Sequence, residues 1–586
     1  MKKIYTKRIR KKCAALLAGA CLLLPLAAAA QAPAYSWVNT LGGSGAERGG
    51  CIRMDKAGNV YTLGTYSGTV DFDPGPGVTN LDGSGGKTGY IAKNGPDGRL
   101  IWVRMIMPPS PMASFDLDAA GNIYIPGYFS TATVDAGPGA TVHMLTRGGS
   151  TDAYIVKLDA GGALVWVKQF GGSEAIKINA LDVDPSGNIC FGGDFTGNID
   201  LDPGIGIADF AGASGSYTQM FVAKLNAAGN YTWGRHFEGS PKSFSSITAL
   251  TTDIFGNILT TGYIHDTVDF DPGPASADRA SKGMADLFIS KLDAAGKFVF
   301  AKHMGGTEPD WAYSLATDNS GNVYGSGTFD GTADFDLDGS GHPVSSKGLH
   351  GSPDIYVVKF SSTGAFQWVN TYGTEGPDKS WALTTDGSAV YLAAEFTGTI
   401  DFNPGGSTPA TIIAPHNNAV VLKLHGDGAF EWVQQFRSEG SDVNTASSIF
   451  SLLVDKEGSV YTSGQFNKTI DFDPSGLTDE LRSSAGGFDL FLHKLAIPVT
   501  TGIPAVASGL FAVMPNPSQG QLQLRFGKDP GPVQVSVYDR SGRMVWVSKL
   551  QSGGQHMLDI SHLAPGAYIL AVHSAGGRYA TSIVRQ

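Results

Sequence analysis

One feature leaves few folds open to this chain: a unit of 64–68 residues recurs along it. A tryptophan returns at Trp37, Trp102, Trp166, Trp233, Trp368 and Trp432, with Phe300 in the one gap, at spacings of 65, 64, 67, 67, 68 and 64 residues. A second block keeps step with it, as DAAGNIYIPGYF from Asp118, DPSGNICFGGDF from Asp184 and DNSGNVYGSGTF from Asp318. Seven such blocks open at Asp55, Asp118, Asp184, Asp253, Asp318, Asp386 and Asp455. The sixth has lost the Gly-Asn pair and the seventh carries Gly458-Ser459 instead. Each is followed by a version of VDFDPG, a strand ending in Lys-Leu, DAAG or a relative, and the tryptophan strand.

Each unit reads as four short antiparallel strands, A to D. They are like ALDVD (180–184), NIYIPGYF (122–129), DAYIVKL (152–158) and ALVWVKQF (163–170). Between A and B, and between C and D, a glycine stands where a tight hairpin needs positive φ. The abundance of glycine, 79 of 586 residues, and a charged fraction of only 16% fit many turns between short strands. A four-stranded sheet at this period is the signature of a β-propeller. The ends match each other. The last unit stops at HKLAIP (493–498) after its third strand, and YSWVNTLGG (35–43) is a tryptophan strand with no unit before it. Joined, they make one blade and remove the free edges that an open array leaves. An open solenoid, the alternative, has no need of complementary ends. The expected fold is all-β: a seven-bladed propeller over 35–496, closed by an N-terminal strand.

The GNVY and GNIY blocks, the Lys-Leu strand ends and the WVKQFGG of 166–172 resemble the SBBP family of bacterial seven-bladed propeller repeats. The resemblance implies the fold and no common activity, so function has to be argued from a site.

Residues 1–30 stand apart. A basic head (Lys2, Lys3, Lys7, Arg8, Arg10, Lys11, Lys12) precedes an apolar run ending in small residues, the pattern of a removable secretory signal peptide cleaved after Ala30. The alternative is a lipoprotein signal using Cys21. No other segment approaches a membrane span. The whole chain has a net charge of −11, and losing the seven positive residues of 1–30 leaves −18, which disfavours nucleic acid as a partner. Of four cysteines, Cys51 and Cys190 remain, two units apart, and read as small buried hydrophobes and not as a disulfide.

After a linker of small residues (497–510), residues 511–586 alternate at period two, with Pro, Gly, Asp and Ser in the turns, which predicts a small β-sandwich. Pro515-Asn516-Pro517-Ser518 with Gly520, Val537-Tyr538-Asp539 with Gly542, and Leu563-Ala564-Pro565-Gly566-Ala567-Tyr568 resemble the C-terminal sorting domain, type A, of the type IX secretion system. Pro515, Asn516, Pro517, Gly542, Gly566 and Tyr568 carry the motif. The resemblance implies the type IX machinery as partner, passage through the periplasm, and a secreted or outer-surface location in a Gram-negative bacterium. One departure is that Ala580-Thr581-Ser582 stands where many members have a lysine.

Function is expected on the face carrying the B–C and D–A connections, which hold the longer and more variable loops. The VDFDPG loop places paired carboxylates there: Asp71 and Asp73, Asp200 and Asp202, Asp269 and Asp271, Asp334 and Asp336, Asp401 with Asn403, Asp471 and Asp473. Calcium takes several such oxygens, and Asp334, Asp336, Asp338 and Gly339 resemble the opening of a calcium loop, although His342 and Ser345 stand where further acids are expected. The alternative is turn capping by the aspartates. The blade junctions supply ligand-binding candidates: Glu308, Asp310 and Trp311 in one copy, Glu375, Asp378 and Trp381 in another. Exposed Trp beside acids suits sugar rings; the alternative is that both tryptophans are core. No nucleophile elbow, zinc motif or phosphate loop is present in the sequence, and the 12 histidines lack ligand spacing. These features favour a non-catalytic binding or scaffold module, with extracellular polysaccharide or a surface protein as partner. The rival is a glycan-active hydrolase or lyase with carboxylates at the channel. A cluster of channel carboxylates with raised pKa favours that rival.

Overall fold

The seven repeated turns decide the architecture, because in each an aspartate Oδ1 accepts from backbone amides two and three or four residues on. At Asp118, Oδ1 accepts from the amides of Ala120 and Asn122 at 2.9 and 3.0 Å, while Oδ2 accepts from Asn122 Nδ2 and the Tyr124 hydroxyl at 2.7 and 3.0 Å. Gly121 takes φ = 81° to close the turn. The lysine of the Lys-Leu signature completes the unit. Lys224 Nζ lies 2.8 Å from Asp184 Oδ2 and Lys291 Nζ 2.9 Å from Asp253 Oδ2, all four side chains being buried. Burial alone would raise these carboxylates. The amide, asparagine and lysine donors outweigh it and hold Asp184 and Asp253 below their ordinary range.

In the computed structural model, the described residues are 32–586, less 44, 46, 107–113, 213–214, 216, 349, 440–444, 475–478, 498–510, 517, 527–532, 539–543, 552–554, 565, 575–576 and 586. The expected signal peptide (1–30), all but the first residue of the linker, and the motif residues Pro517 and Gly542 lie outside them. The described residues form successive four-stranded antiparallel blades, for example Ile176–Val183, Ile189–Phe195, Gln219–Leu225 and Tyr231–Phe237. The closing blade is built as the ends suggested. Ala34–Leu41 pairs antiparallel with Asp489–Ala496, from Ala34 opposite Ala496 to Leu41 opposite Leu490. The inner strands Arg48–Met54, Asp116–Leu117, Ile176–Val183, Ser246–Thr252, Trp311–Thr317, Lys379–Thr385 and Ala446–Val454 pack each against the next, around to the first. This ring of twisted sheets is a β-propeller.

Hydrophobic clusters straddle neighbouring blades. One joins Cys190, Met220 and Val222 to Ile247, Ile258 and Phe288. The tryptophans pack between blades on the outer strands. Trp233 Nε1 donates to Ala294 O in the next blade's C–D turn at 3.3 Å, and a Cβ on Gly296 of that turn would stand 3.0 Å from the indole. Glycine is therefore required there both for its φ of 76° and for the ring beneath it. Phe300 packs under Gly364 in the same way. Trp432 faces the closing blade, which has no C–D turn, and its Nε1 has no partner among the described residues. Cys51 and Cys190 are free, and Cys190 is buried.

The VDFDPG segments, expected as loops, are tips of β-hairpins such as Thr267–Asp269 with Asp278–Ala280. These hairpins seal blade to blade: Gly171 and Gly172 of one outer strand pair with Asp200 and Ile199 of the next hairpin, and Gly305 bridges Asp334. Their central residue anchors them, for Phe72, Leu201, Phe270, Phe335, Phe402 and Phe472 are fully buried.

The C-terminal residues form two sheets, Phe511–Met514, Gln521–Phe526 and Gln555–Asp559 in one, and Met544–Leu550, Val533–Tyr538, Gly566–Ser574 and Gly577–Arg585 in the other. Leu522, Leu524, Val535, Val537, Leu558, Leu570 and Ile583 fill the space between them. The motif residues do local work: Asn516 Oδ1 accepts from Val584 N at 2.7 Å, and the Tyr568 hydroxyl donates to Ala564 O at 2.7 Å.

Candidate functional site

The channel is shaped by a defect repeated in the inner strands. Pairing with the second strand slips by one residue at Asn179, Thr248, Tyr313, Trp381 and Phe450, and again by one where Gly50 and Cys51 together stand opposite Leu63. Each is a β-bulge, which re-aims a side chain that regular alternation would place elsewhere. All of these residues line one central cavity of about 830 Å³, within the roughly 300–1,000 Å³ usual for small-molecule sites.

The ring of bulges is lopsided. On three consecutive blades it presents Tyr313, Trp381 and Phe450; on other blades it presents Gly50, Asn179 and Thr248. The Tyr313 and Trp381 ring centroids are 5.9 Å apart at 34°, and Trp381 and Phe450 are 5.2 Å apart at 89°. Arg48 Cζ lies 4.7 Å from the Phe450 centroid, and Lys379 Nζ 5.6 Å from that of Trp381. No carboxylate among the described residues pairs with Arg48, and burial lowers its pKa. On the polar side, Asn179 Nδ2 donates to Asp194 Oδ1 at 2.7 Å and to Ser246 Oγ at 3.1 Å. Burial raises the Asp194 carboxyl.

Toward the A–B turns a chain of polar contacts staples blade to blade. Arg53 Nε lies 3.3 Å from Asp116 Oδ1, Asp116 Oδ2 accepts from Val183 N at 2.8 Å, and Asp182 Oδ2 accepts from Thr252 N and its hydroxyl at 2.6 and 2.7 Å. Burial and the adjoining Asp116 raise the Asp182 carboxyl. Sequence reasoning did not single out this pair, since each acid is an ordinary-looking residue of its own strand.

The junction candidates separate. Asp310 and Asp378 are fully buried and cap their own loops: Asp310 Oδ2 accepts from Gly306 N at 2.9 Å and Asp378 Oδ2 from Thr374 N at 2.6 Å. Burial lifts Asp310 to about 8 and Asp378 to about 7. Trp311 begins its strand and packs on Tyr263, centroids 4.8 Å apart, whereas Trp381 occupies the bulge and faces the cavity. The two tryptophans are thus not equivalent positions: Trp311 corresponds to Lys379, and Tyr313 to Trp381. Glu375 is exposed. Glu308 meets two residues that the sequence did not suggest, Asp330 and His350. His350 Nδ1 lies 2.8 Å from Glu308 Oε2 and 3.4 Å from Asp330 Oδ2. Among the described residues these form the one set of three metal-capable side chains with ligand atoms within 4.8 Å. Asp330 already accepts from Gly331 N and Gly351 N at 2.8 and 2.6 Å.

The hairpin aspartates act as caps. Asp71 Oδ1 accepts from the amides of Asp73 and Thr79, Asp269 Oδ1 from Asp271 and Ala277, Asp334 Oδ1 from Asp336 and His342, and Asp471 Oδ1 from Asp473 and Glu480. Asp338 turns to Arg279, at 3.2 Å, and to His303, at 3.7 Å. Those partners offset its burial and hold it below its ordinary range.

Residues 512–586 match the family described as Secretion system C-terminal sorting domain. The chain is 23% identical over 261 residues to an uncharacterized WD repeat-containing protein L264 of Acanthamoeba polyphaga mimivirus, covering 39% of this chain and 19% of that protein. It is 25% identical over 301 residues to regulatory protein FlaEY of Caulobacter vibrioides, covering 49% of this chain and 30% of that protein. It thus spans less than a third of either relative's length. Among solved structures it is similar to the Neurospora crassa Pan2 WD40 domain, 8% identical with a TM-score of 0.35 over 78% of this chain and 97% of that one. It is also similar to a chain of the mitotic checkpoint complex, 8% identical with a TM-score of 0.33 over 84% and 99%. The molecule carries a β-propeller followed by a secretion-system C-terminal sorting domain.

Proposed function

We propose that this chain is a secreted or surface-displayed binding propeller of the SBBP type, exported by the type IX machinery through its C-terminal domain. The observation that carries the binding role is the break in symmetry inside the channel. Frame positions repeat from blade to blade, but the bulge positions change from glycine and small polar residues to three adjacent aromatics. A ring that only scaffolds has no physical need for that asymmetry. The match of 512–586 supports the export route. Extracellular polysaccharide is the partner class that best suits aromatic rings in one cavity with hydrogen-bonding side chains.

Export is tested by fractionating cells that express the full chain or a chain without 511–586. The full chain reaches the surface or medium, and the truncated chain stays in the periplasm; normal release of the truncated chain would overturn the route. Binding is tested by retention of the exported full chain on immobilised polysaccharides.

The second reading, a glycan-active hydrolase or lyase, is favoured by the Asp116–Asp182 pair with its raised carboxyl. Against it, both acids already serve the adjacent blade's amides. Release of reducing ends by the full chain, abolished in Asp182→Asn with the fold intact, would establish it.

A further inference from the structure

Two cations at the loop end of the channel deepen the binding reading, on which this inference rests. Arg48, the first residue of its inner strand, is half-buried, lies against Phe450, and has no carboxylate partner among the described residues. Lys379 begins the inner strand that carries Trp381 and leans over that ring. Glu395 stands opposite Lys379 in the pairing, yet no ion pair joins them. Elsewhere in the channel the cation is matched, since Arg53 sits beside Asp116. A half-buried guanidinium without an anion is unfavourable, and a ligand anion relieves it.

The aromatic surface narrows the chemistry. Tyr313 and Trp381 lie side by side at 34°, and Phe450 meets Trp381 edge-on at 89°. These rings adjoin one another and give the cavity one aromatic floor. A pyranose, with C–H bonds on one face and hydroxyls around its rim, suits such a floor. Asn179 and Thr248 line the same cavity and supply polar side chains to it.

We propose that the channel binds an acidic saccharide, with a uronate pyranose seated on Trp381 and Tyr313 and its carboxylate at Arg48. The net negative charge of the chain makes generic attraction of anions a poor alternative, so selectivity has to come from this local pair of cations.

The test is calorimetric titration of the exported full chain with glucuronate and glucose oligosaccharides of equal length. Acidic oligosaccharides bind about tenfold tighter or better than neutral ones, as one charge-assisted contact implies. Arg48→Gln removes that preference and leaves neutral binding in place, while Trp381→Ala weakens both. Trp381→Phe retains part of the affinity and guards against misfolding as the cause. Equal affinity for the two sugars, or an unchanged preference in Arg48→Gln, overturns the acidic assignment but leaves the binding module standing. Failure of either sugar to bind, with retention on no other polysaccharide, overturns both.

Discussion

Each inner strand runs between two differently built ends. At the A–B end, an aspartate caps a Gly-containing turn and, in several blades, an asparagine together with a tyrosine or a lysine completes it. At the D–A end, the loop cap is Glu47, Asp310 or Asp378, and the bulge beyond it carries anything from Gly50 to Trp381. The first end holds a buried ion pair whose geometry is shared by neighbouring blades; the second must only close a loop and leave its side chains free to diverge. Repetition marks the frame, and departure from repetition marks the site.

The comparison can be broken in order of expected effect. Removing residues 32–41 leaves Asp489–Ala496 as an open edge, and the protein should lose its single cooperative unfolding transition and self-associate, as read by calorimetry and light scattering. A monomer with an unchanged melt would mean that the ring does not need its clasp. Asp253→Ala strands Lys291 in the interior and should cost about 3–5 kcal/mol in urea unfolding. Trp381→Ala should cost less and yet abolish ligand retention, so a stability loss of equal size would erase the distinction between frame and site.

Two smaller effects sharpen it. Asp310 and Asp378 are held protonated by burial, with pKa values lifted to about 8 and about 7. The folded state therefore binds more protons than the unfolded state above about pH 4, and stability falls as pH rises from there toward 7–8. Asp378→Asn should remove about 2 kcal/mol of that fall between pH 5 and 7, measured by urea unfolding at each pH. If the wild type is as stable at pH 8 as at pH 5, these carboxyls are not buried as described. The smallest effect concerns calcium. Because the first aspartate of the hairpin tips already accepts two amides and Asp338 faces Arg279, thermal melts in calcium and in chelator should coincide within about 1 °C. A clear rise in calcium would make Asp334 and Asp336, with their equivalents in other blades, metal ligands after all.

The tryptophan spacing, the Asp-Gly-Asn turns and the complementary ends together specify blades, inner-to-outer strand order and closure, because each depends on contacts within one repeat or between identical neighbours. The motifs of 511–586 likewise announce their domain, since its strands alternate cleanly and its turns carry their own signature residues. The site was less legible. Glu308-Asp310-Trp311 and Glu375-Asp378-Trp381 look like copies, but the aspartates align while the tryptophans do not, because Trp311 follows its aspartate by one residue and Trp381 by three. Only the bulge reveals which one faces the channel.

What the sequence alone determined is therefore the repeated frame: local turn chemistry, strand alternation and the pairing of the chain's two ends. Tertiary structure decided the rest. It turned the VDFDPG segments into hairpins anchored by a buried apolar residue and brought Asp116 to Asp182. It also gathered Tyr313, Trp381, Phe450 and Arg48 from four blades into one surface. The physical reason is distance along the chain. A turn is specified by residues within four or five positions of each other, whereas the channel is assembled from side chains a whole repeat or more apart, and a one-residue slip in pairing decides where each of them points.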